Sequence, residues 1–449
     1  MTKLSLTNEK INSHGGLTLT GKLLSKYCRL KEFFKEPVKT RSDRISDVDI
    51  LVSQIGLLVQ ARTHYDDIEL FRQDEGAGFA EALGIKEVPS ESTLRQRLAP
   101  LATKASMRKL EGANLALLQN HRPSPLEING RKYIPNDIDV TPMDNTGSHR
   151  ENVGRTYKGC DGFAPIMSNL GEEGFLLHHE LRPGVQHCQK NTPAFLERNF
   201  KLLKRIKLEH PVLVRMDSGN DSADTLETLR NSGHRFIVKR NLRRENKVKW
   251  LSHAMSQGEP ECPREGKEVY IGTIEHHRPG GEKSTQAPLT TVYRITRRSI
   301  DKHGQALLID EIEVDSYWVN LGESPEDIIE LYHRHGTSEQ FHSEIKSDMG
   351  LERFPSNVYK VNQLFLMLGA IAYNTLRCID HRAKGLKRLW PKHLQRKKVK
   401  LSRRRVGSII RDIINTAAKV VSHAGQKIIK LSRGWPWSRV ILAIDQQLS

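Results

Sequence analysis

Three acidic residues in three different settings carry the chemistry open to this sequence. Asp139 closes an apolar run, Tyr133-Ile-Pro-Asn-Asp-Ile-Asp-Val-Thr141, and Asp217 closes another, Val212-Leu-Val-Arg-Met-Asp-Ser-Gly219. Glu339 falls in a helix-patterned segment crowded with His, Tyr, Arg and Lys. A core strand seldom ends in a carboxylate without a use for it, since an unpaired charge beside apolar packing is costly. Two strand-end aspartates and a helical glutamate can together hold two Mg2+ ions, hard cations that prefer oxygen ligands and keep several waters. A pair of such ions, roughly 3.5–4 Å apart, activates a water or hydroxyl and stabilises the departing oxygen in phosphodiester cleavage.

The helix that would carry the third acid begins at Ser324-Pro-Glu-Asp327, which supplies an N-cap, a first-position proline and first-turn acids. Along it, Tyr332, His335, Glu339, His342 and Lys346 recur at intervals of three, four, three and four. At about 100° per residue they share one face. A solvated, salt-bridging face is the bland explanation; the two strand-end aspartates favour a site, because α/β sheets place their sites beyond strand ends. Lys346, about two turns past Glu339, would contact phosphate rather than metal. Glu344, about 140° off that face, is expected at the surface.

Other candidates compete or drop away. Asp137 shares a strand face with Asp139 and competes with it as the first ligand. Asp144 is expected to be solvated, and Asp221 and Asp224 to suit the first turn of the next helix. His178-His179 and His276-His277 have no ligand partner at usable spacing, so structural positions are expected. Trp250 and Trp318 read as core aromatics.

The elements that must position these residues follow from periodicity. Residues 1–45 are polar with few periodic signals and read as an arm; the pattern then turns helical to about residue 120. Ser90-Glu-Ser-Thr-Leu-Arg-Gln-Arg-Leu98 is a capped helix with Arg95 and Arg97 outward, suited either to a DNA groove or to an ordinary bundle. Next come strands near 133–141, 164–169 and 175–181, a helix at 192–208, a strand at 212–216, a helix at 223–230 and a strand at 235–238. Three strands, helix, strand, helix, strand predicts an α/β fold with a mixed five-stranded sheet, the order of the ribonuclease-H-like fold. Short alternating runs at 241–320 predict a β-rich insertion. The expected division is 1–125 (arm and helical DNA-binding domain), 130–240 with 321–380 (catalytic core), 241–320 (insertion) and 381–449 (basic helical region).

With 449 residues, a net charge of +18 and a pI near 9.6, a polyanionic partner is the leading expectation. Half of the positions from Arg382 to Arg405 are Lys or Arg, including Arg396-Lys397-Lys398 and Arg403-Arg404-Arg405, a density suited to DNA phosphates. The five cysteines are scattered, which argues against a zinc ribbon or a disulfide framework. No signal peptide is visible, and the most apolar window, Leu364–Tyr373, is too short to span a bilayer, so a soluble cytoplasmic protein is expected.

In combination, Asp137-Ile-Asp-Val-Thr141, Leu181-Arg-Pro-Gly184, Val214–Gly219, Tyr332–Lys346 and Asn362-Gln363 through Ala372-Tyr-Asn374 resemble the DDE transposases of bacterial insertion sequences. The chain most resembles insertion-sequence group thirteen-eighty, which carries Tyr-x2-Arg-x3-Glu-x6-Lys and a β insertion before that helix. The resemblance implies Asp139, Asp217 and Glu339 as catalytic triad and ligands for two Mg2+ ions, with Mn2+ able to substitute. It prefers Asp139 to Asp137, because the family's Asp-x-Thr falls there. It makes Tyr332 and Lys346 DNA-contacting helpers, and Trp318 a candidate for stacking on a base at a DNA end. Arg95, Arg97, Arg396, Lys397, Lys398, Arg403 and Arg404 would bind double-stranded DNA, as terminal inverted repeats and as target. Cleavage beside the repeats and joining of the freed 3′ hydroxyls would be the activity, with a homodimer pairing two ends. One departure stands out: His335 occupies the place of the family's Arg, and Arg334 lies beside it. A neutral imidazole cannot clamp phosphate as guanidinium does, so Arg334 compensates or that contact weakens. A non-catalytic DNA-binding remnant and a host nuclease on the same fold are the rival readings.

Overall fold

The structure, a computed structural model, describes residues 2–3, 5, 9–34, 45–72, 78–243, 245–278, 287–395, 403–424 and 426–449. The chain opens with β1 (Ile11–Asn12), α1 (Leu17–Leu23), a π turn and α2 (Leu30–Phe33). Leu17, Leu19, Leu23 and Cys28 are fully buried, so this stretch is packed core rather than the arm its polarity suggested. Its few apolar side chains fall where one helical face can bury them, and that outweighs the polar remainder. Next come α3 (Asp47–Leu58), α4 (Phe79–Leu83), α5 (Glu91–Leu101) and α6 (Lys104–Gln119). Ser46, Ser90 and Thr103 cap α3, α5 and α6 with side-chain oxygens that accept backbone N–H groups of the first turn.

The central layer is a ten-stranded mixed sheet. It begins with the hairpin of β2 (Leu126–Ile128) and β3 (Arg131–Val140). A small separate sheet, β4 (Met143–Asp144), β5 (Gly154–Arg155) and β6 (Asp161–Phe163), folds beside it. The chain re-enters the large sheet with β7 (Ile166–Leu170) and β8 (Phe175–Glu180), then α7 (Thr192–Leu203), β9 (Val212–Met216), α8 (Ala223–Ser232) and β10 (Arg235–Lys239). Within this part the strands lie β8-β7-β3-β9-β10; β3, β9 and β10 run parallel, and β7 and β8 are antiparallel to their neighbours. All five residues of β9 are buried, as expected of a strand covered on both faces by helices.

Residues 241–320 contain one helix that periodicity did not reveal, α9 (Lys247–Gln257), which buries Trp250, Leu251 and Ala254. The strands β11 (Glu261–Arg264), β12 (Lys267–His276), β13 (Leu289–Ile300) and β14 (Ala306–Val319) do not form a detached unit. Antiparallel pairing of β14 with β10, with Val238 opposite Trp318, makes them an extension of the central sheet.

The chain continues through α10 (Pro325–His333) and α11 (Thr337–Ser343) to α12 (Tyr359–Gly385), which is buried on almost every side from Leu364 to Asp380. Such a helix is core rather than surface. Asn374 serves β8 as a surrogate backbone: its Oδ1 accepts from Leu176 N at 2.8 Å and its Nδ2 donates to Leu176 O at 2.8 Å. After α13 (Lys392–Gln395) and α14 (Val406–Ile409), the C-terminal region holds a hairpin as well as helices: β15 (Ala418–His423) and β16 (Gln426–Leu431) precede α15 (Ser438–Leu448). The hairpin adds β1 as a third strand, bringing the two ends of the chain into one sheet. Among the described residues no helix is long and apolar enough to cross a membrane.

Candidate functional site

The parallel register of β3 and β9 sets Ile138 opposite Met216, so the next residues, Asp139 and Asp217, leave neighbouring strand ends side by side. Each carboxylate is held locally. Asp139 Oδ1 accepts from Val140 N at 2.7 Å. Asp217 Oδ1 accepts from Gly219 N at 3.2 Å and from the buried Asn220 Nδ2 at 2.8 Å. A Cβ at Gly219 would stand 3.2 Å from Asp217 Oδ1 and 3.3 Å from Cys188 Sγ, so a side chain there would press on the Asp217 loop. Burial, then the negative charge of Asp217, pushes the Asp139 carboxyl up to about 7.

Glu339 approaches on α11. The segment is not one continuous α-helix: a 3-10 turn, Arg334–Gly336, joins α10 to α11, and a π turn, Glu344–Asp348, follows. Despite both breaks, Tyr332, His335, Glu339, His342 and Lys346 line one cavity of roughly 620 Å3 together with Asp139 and Asp217. Glu339 is exposed on its wall. Lys346 Nζ donates to the Pro142 carbonyl at 3.2 Å, and Tyr332 lies between the rings of Tyr317 (4.6 Å) and His335 (5.6 Å). His342 is buried and held neutral, its pKa lowered to about 3 mainly by burial; its Nδ1 lies 3.8 Å from Asp139 Oδ2 and its Nε2 has no partner among the described residues.

Asp137 takes no part in lining this cavity. Arg215 donates to its two oxygens at 2.6 and 2.8 Å, and His335 Nδ1 lies 3.0 Å from Oδ1. The Arg215 guanidinium, together with the hydrogen bonds from Arg215 and His335, holds Asp137 below the usual carboxylate range although it is fully buried. His335 thus spends one ring nitrogen on a structural contact with Asp137.

Several residues singled out for DNA contact are engaged within the chain. Trp318 is fully buried: its Nε1 donates to Asp221 Oδ1 at 3.2 Å, and the Arg240 guanidinium covers its ring at 4.3 Å. Its packing follows the core-aromatic alternative and leaves no ring face open. Arg97 pairs with Asp47 and the Ile45 carbonyl, while Arg95 is exposed beside Glu91. Arg334, away from the cavity, pairs with Glu330 and donates to the Glu127 carbonyl. Arg403 is buried against Glu344 and the Phe341 ring, and Arg404 against Asp412 and the Trp437 ring. Glu344 is accordingly fully buried, not a surface residue. Its side of the helix is covered by the chain at 403–407, which spacing along one helix cannot foresee. Asp221 is likewise buried and takes no place in α8, where Ser222 is the cap. Arg396, Lys397 and Lys398 lie outside the described residues.

Among the cavity residues that spacing did not single out are Tyr157, Lys158 and Glu352. Tyr157 and Lys158 sit in the turn joining β5 to β6 and form part of the cavity wall. The only signal for Tyr157 and Lys158 was an aromatic between basic residues in Arg155-Thr-Tyr-Lys-Gly159, too short to stand out.

The donor chemistry of the cavity suits hard divalent cations. A carboxyl pushed up by burial and by a second carboxylate is relieved when a cation enters between them. Among the described residues no three His, Cys, Asp or Glu side chains cluster closely enough to hold one ion, so Glu339 shares the cavity without closing on the two aspartates.

A family model described as transposase DDE domain group 1 matches residues 2–449. No curated protein matches the chain. Among solved structures, the chain is similar to a piggyBac transposase synaptic complex with hairpin DNA, seen by cryo-EM. The identity is 11%, the TM-score is 0.44, and the likeness covers 89% of this chain and 78% of that one.

Proposed function

From the premise that this chain belongs to the transposase DDE domain group 1 family, we propose that it cleaves DNA beside terminal inverted repeats and joins the freed 3′ hydroxyls to target DNA. The observation that carries this reading is the pair of strand-end aspartates, Asp139 and Asp217, sharing a cavity with Glu339. We read the core as ribonuclease-H-like, on the strand order β8-β7-β3-β9-β10 with its parallel centre. The spacing of Tyr332, Glu339 and Lys346 and the inserted strands before that helix support membership of insertion-sequence group thirteen-eighty.

Asp139 and Asp217, with Glu339, would hold two Mg2+ ions, for which Mn2+ can substitute. Bound there, they would supply activation of the attacking oxygen and stabilisation of the leaving one. The chain's own residues do the remainder. Asn220 and the Gly219 amide fix the Asp217 carboxylate, so ligand geometry is set before DNA arrives. Arg215 and His335 keep Asp137 occupied and leave Asp139 as the acid that faces the cavity. Lys346, on the same wall as Glu339, lies where it can neutralise phosphate. Tyr332 forms an apolar floor against Tyr317 and His335. Exposed cations of the N-terminal helices, Arg95 among them, with Arg396, Lys397 and Lys398, provide a sequence-independent hold on DNA, and two chains would pair two ends.

Alanine at Asp139, Asp217 or Glu339 is expected to abolish Mg2+-dependent cleavage of an end-bearing duplex while leaving its binding in EDTA intact. Cleavage at the wild-type rate by any of the three variants overturns the triad.

A further inference from the structure

The sequence points to the glutamate helix and the basic C-terminal run for the grip on DNA, yet the geometry places a better-situated pair elsewhere. Tyr157 and Lys158 lie at the tip of the β5–β6 hairpin and wall the same cavity as Asp139, Asp217 and Lys346. The Tyr157 hydroxyl donates to the carbonyl of Val140, the residue after Asp139, at 3.1 Å, while the residue as a whole remains 66% exposed. Its polar end is therefore anchored beside a ligand and its ring stands open to solvent.

The hairpin is built to hold this position. Thr156 N donates to the Cys160 carbonyl at 2.9 Å, Gly159 N donates to the Thr156 carbonyl at 2.9 Å, and Gly159 takes φ +81°, closing a tight turn. At its base a Cβ on Gly162 would lie 1.9 Å from the Met143 carbonyl oxygen, and one on Gly184 2.1 Å from that of Gly154. Backbones packed this closely leave the hairpin little room to swing. Lys158 is exposed and has no ion-pair partner among the described residues, unlike Arg97, Arg403 and Arg404. An open ring next to an exposed cation that makes no close ion pair among the described residues and whose charge reaches Asp139, fixed over a phosphoryl-transfer cavity, suits a nucleic-acid strand: bases stack on the ring and phosphate meets the cation.

We propose that the Tyr157–Lys158 tip clamps the scissile strand, with Lys158 on the phosphate next to the cleaved bond and the Tyr157 ring stacked on the neighbouring base. This rests on the DNA-cleaving reading above and adds to it a second contribution to the cavity wall, from the β5–β6 hairpin. Together with Lys346 on the same cavity wall, the clamp would hold the strand, so that losing it lowers affinity and misplaces the phosphate.

The test compares wild type with Tyr157→Ala, Tyr157→Phe and Lys158→Ala on an end-bearing duplex carrying 2-aminopurine beside the cleavage point. Binding is measured in EDTA across a salt series and cleavage in Mg2+. Tyr157→Ala is expected to bind about tenfold more weakly and to lose the probe's fluorescence change, whereas Tyr157→Phe keeps both, since stacking needs the ring alone. Lys158→Ala is expected to make the log–log salt slope of binding shallower by about one, as for one lost phosphate contact. Melting temperatures of all three near wild type show that the tip is not needed for folding. An active wild type whose Tyr157→Ala and Lys158→Ala variants bind and respond as it does overturns the clamp alone. A wild type with no cleavage of any end-bearing duplex overturns the reading on which the clamp rests.

Discussion

Removing the charge of Asp139 should stabilise the metal-free protein, which is the reverse of what truncating a core residue does. Its carboxyl is pushed up from 3.8 to about 7, first by burial and then by the charge of Asp217. A group whose folded pKa exceeds its unfolded value contributes fully below the unfolded value, and that contribution is lost as pH rises through the folded one. Here the loss runs from about pH 4 to about pH 7. Some three units at 1.36 kcal/mol each set a ceiling of about 4 kcal/mol by pH 8. Asp139→Asn keeps an oxygen to accept from Val140 N but cannot ionise. In EDTA, urea unfolding should therefore show the variant level with wild type near pH 4 and more stable at pH 8, by up to about 4 kcal/mol. Mg2+ or Mn2+ should then raise wild type toward the variant while moving the variant far less, because a cation relieves the same repulsion. A variant no more stable than wild type at pH 8 in EDTA would refute the claim that Asp139 and Asp217 share a desolvated, mutually repelling site.

Three further outcomes separate structural residues from those that meet DNA. Asp137→Ala strands Arg215 in the core and should destabilise by about 3–5 kcal/mol in denaturant titrations, whatever the metal concentration. Arg403→Ala takes away Glu344's close ion-pair partner and leaves it buried with Arg377 at 3.9 Å and the more distant charge of Arg405. It should cost a similar 3–5 kcal/mol or so while leaving the salt slope of DNA binding unchanged. A shallower slope would return Arg403 to the DNA-binding set. Trp318→Phe removes the Nε1–H bond to Asp221 and should lower stability by about 1 kcal/mol without changing affinity for a DNA end. A fivefold loss of affinity in a well-folded variant would show that the ring reaches DNA.

Much of the α/β layer was legible because its signals are local. Val212–Met216 is a run of five that ends at a carboxylate, and Ser222, Gly233 and the alternating residues around them bound α8 and β10. The stripe of Tyr332, Glu339 and Lys346 survived two changes of helical winding because both are short and the cavity wall is wide. Less legible were elements whose stability comes from partners. The α1 stretch reads as polar until α4 and α15 cover it, and β1 becomes a strand only because the C-terminal hairpin lies alongside.

The sequence by itself determined the acids, their settings at two strand ends and one helix, and the basic balance that calls for a polyanion, since each depends on residue type and short-range period. Only the tertiary structure decided which charges remain free to act. Asp137 and Asp139 share a strand face two residues apart, yet Arg215 and His335 close on one and leave the other facing Asp217. Arg403 and Arg404 looked like part of a DNA-binding run, but acids distant in sequence, Glu344 and Asp412, draw them inside. Lys158, whose short basic-aromatic signal did not stand out, lies on the cavity wall with no ion pair among the described residues. The physical reason is the same in each case: a charge is committed or available according to which partner folding buries beside it, and those partners come from remote parts of the chain.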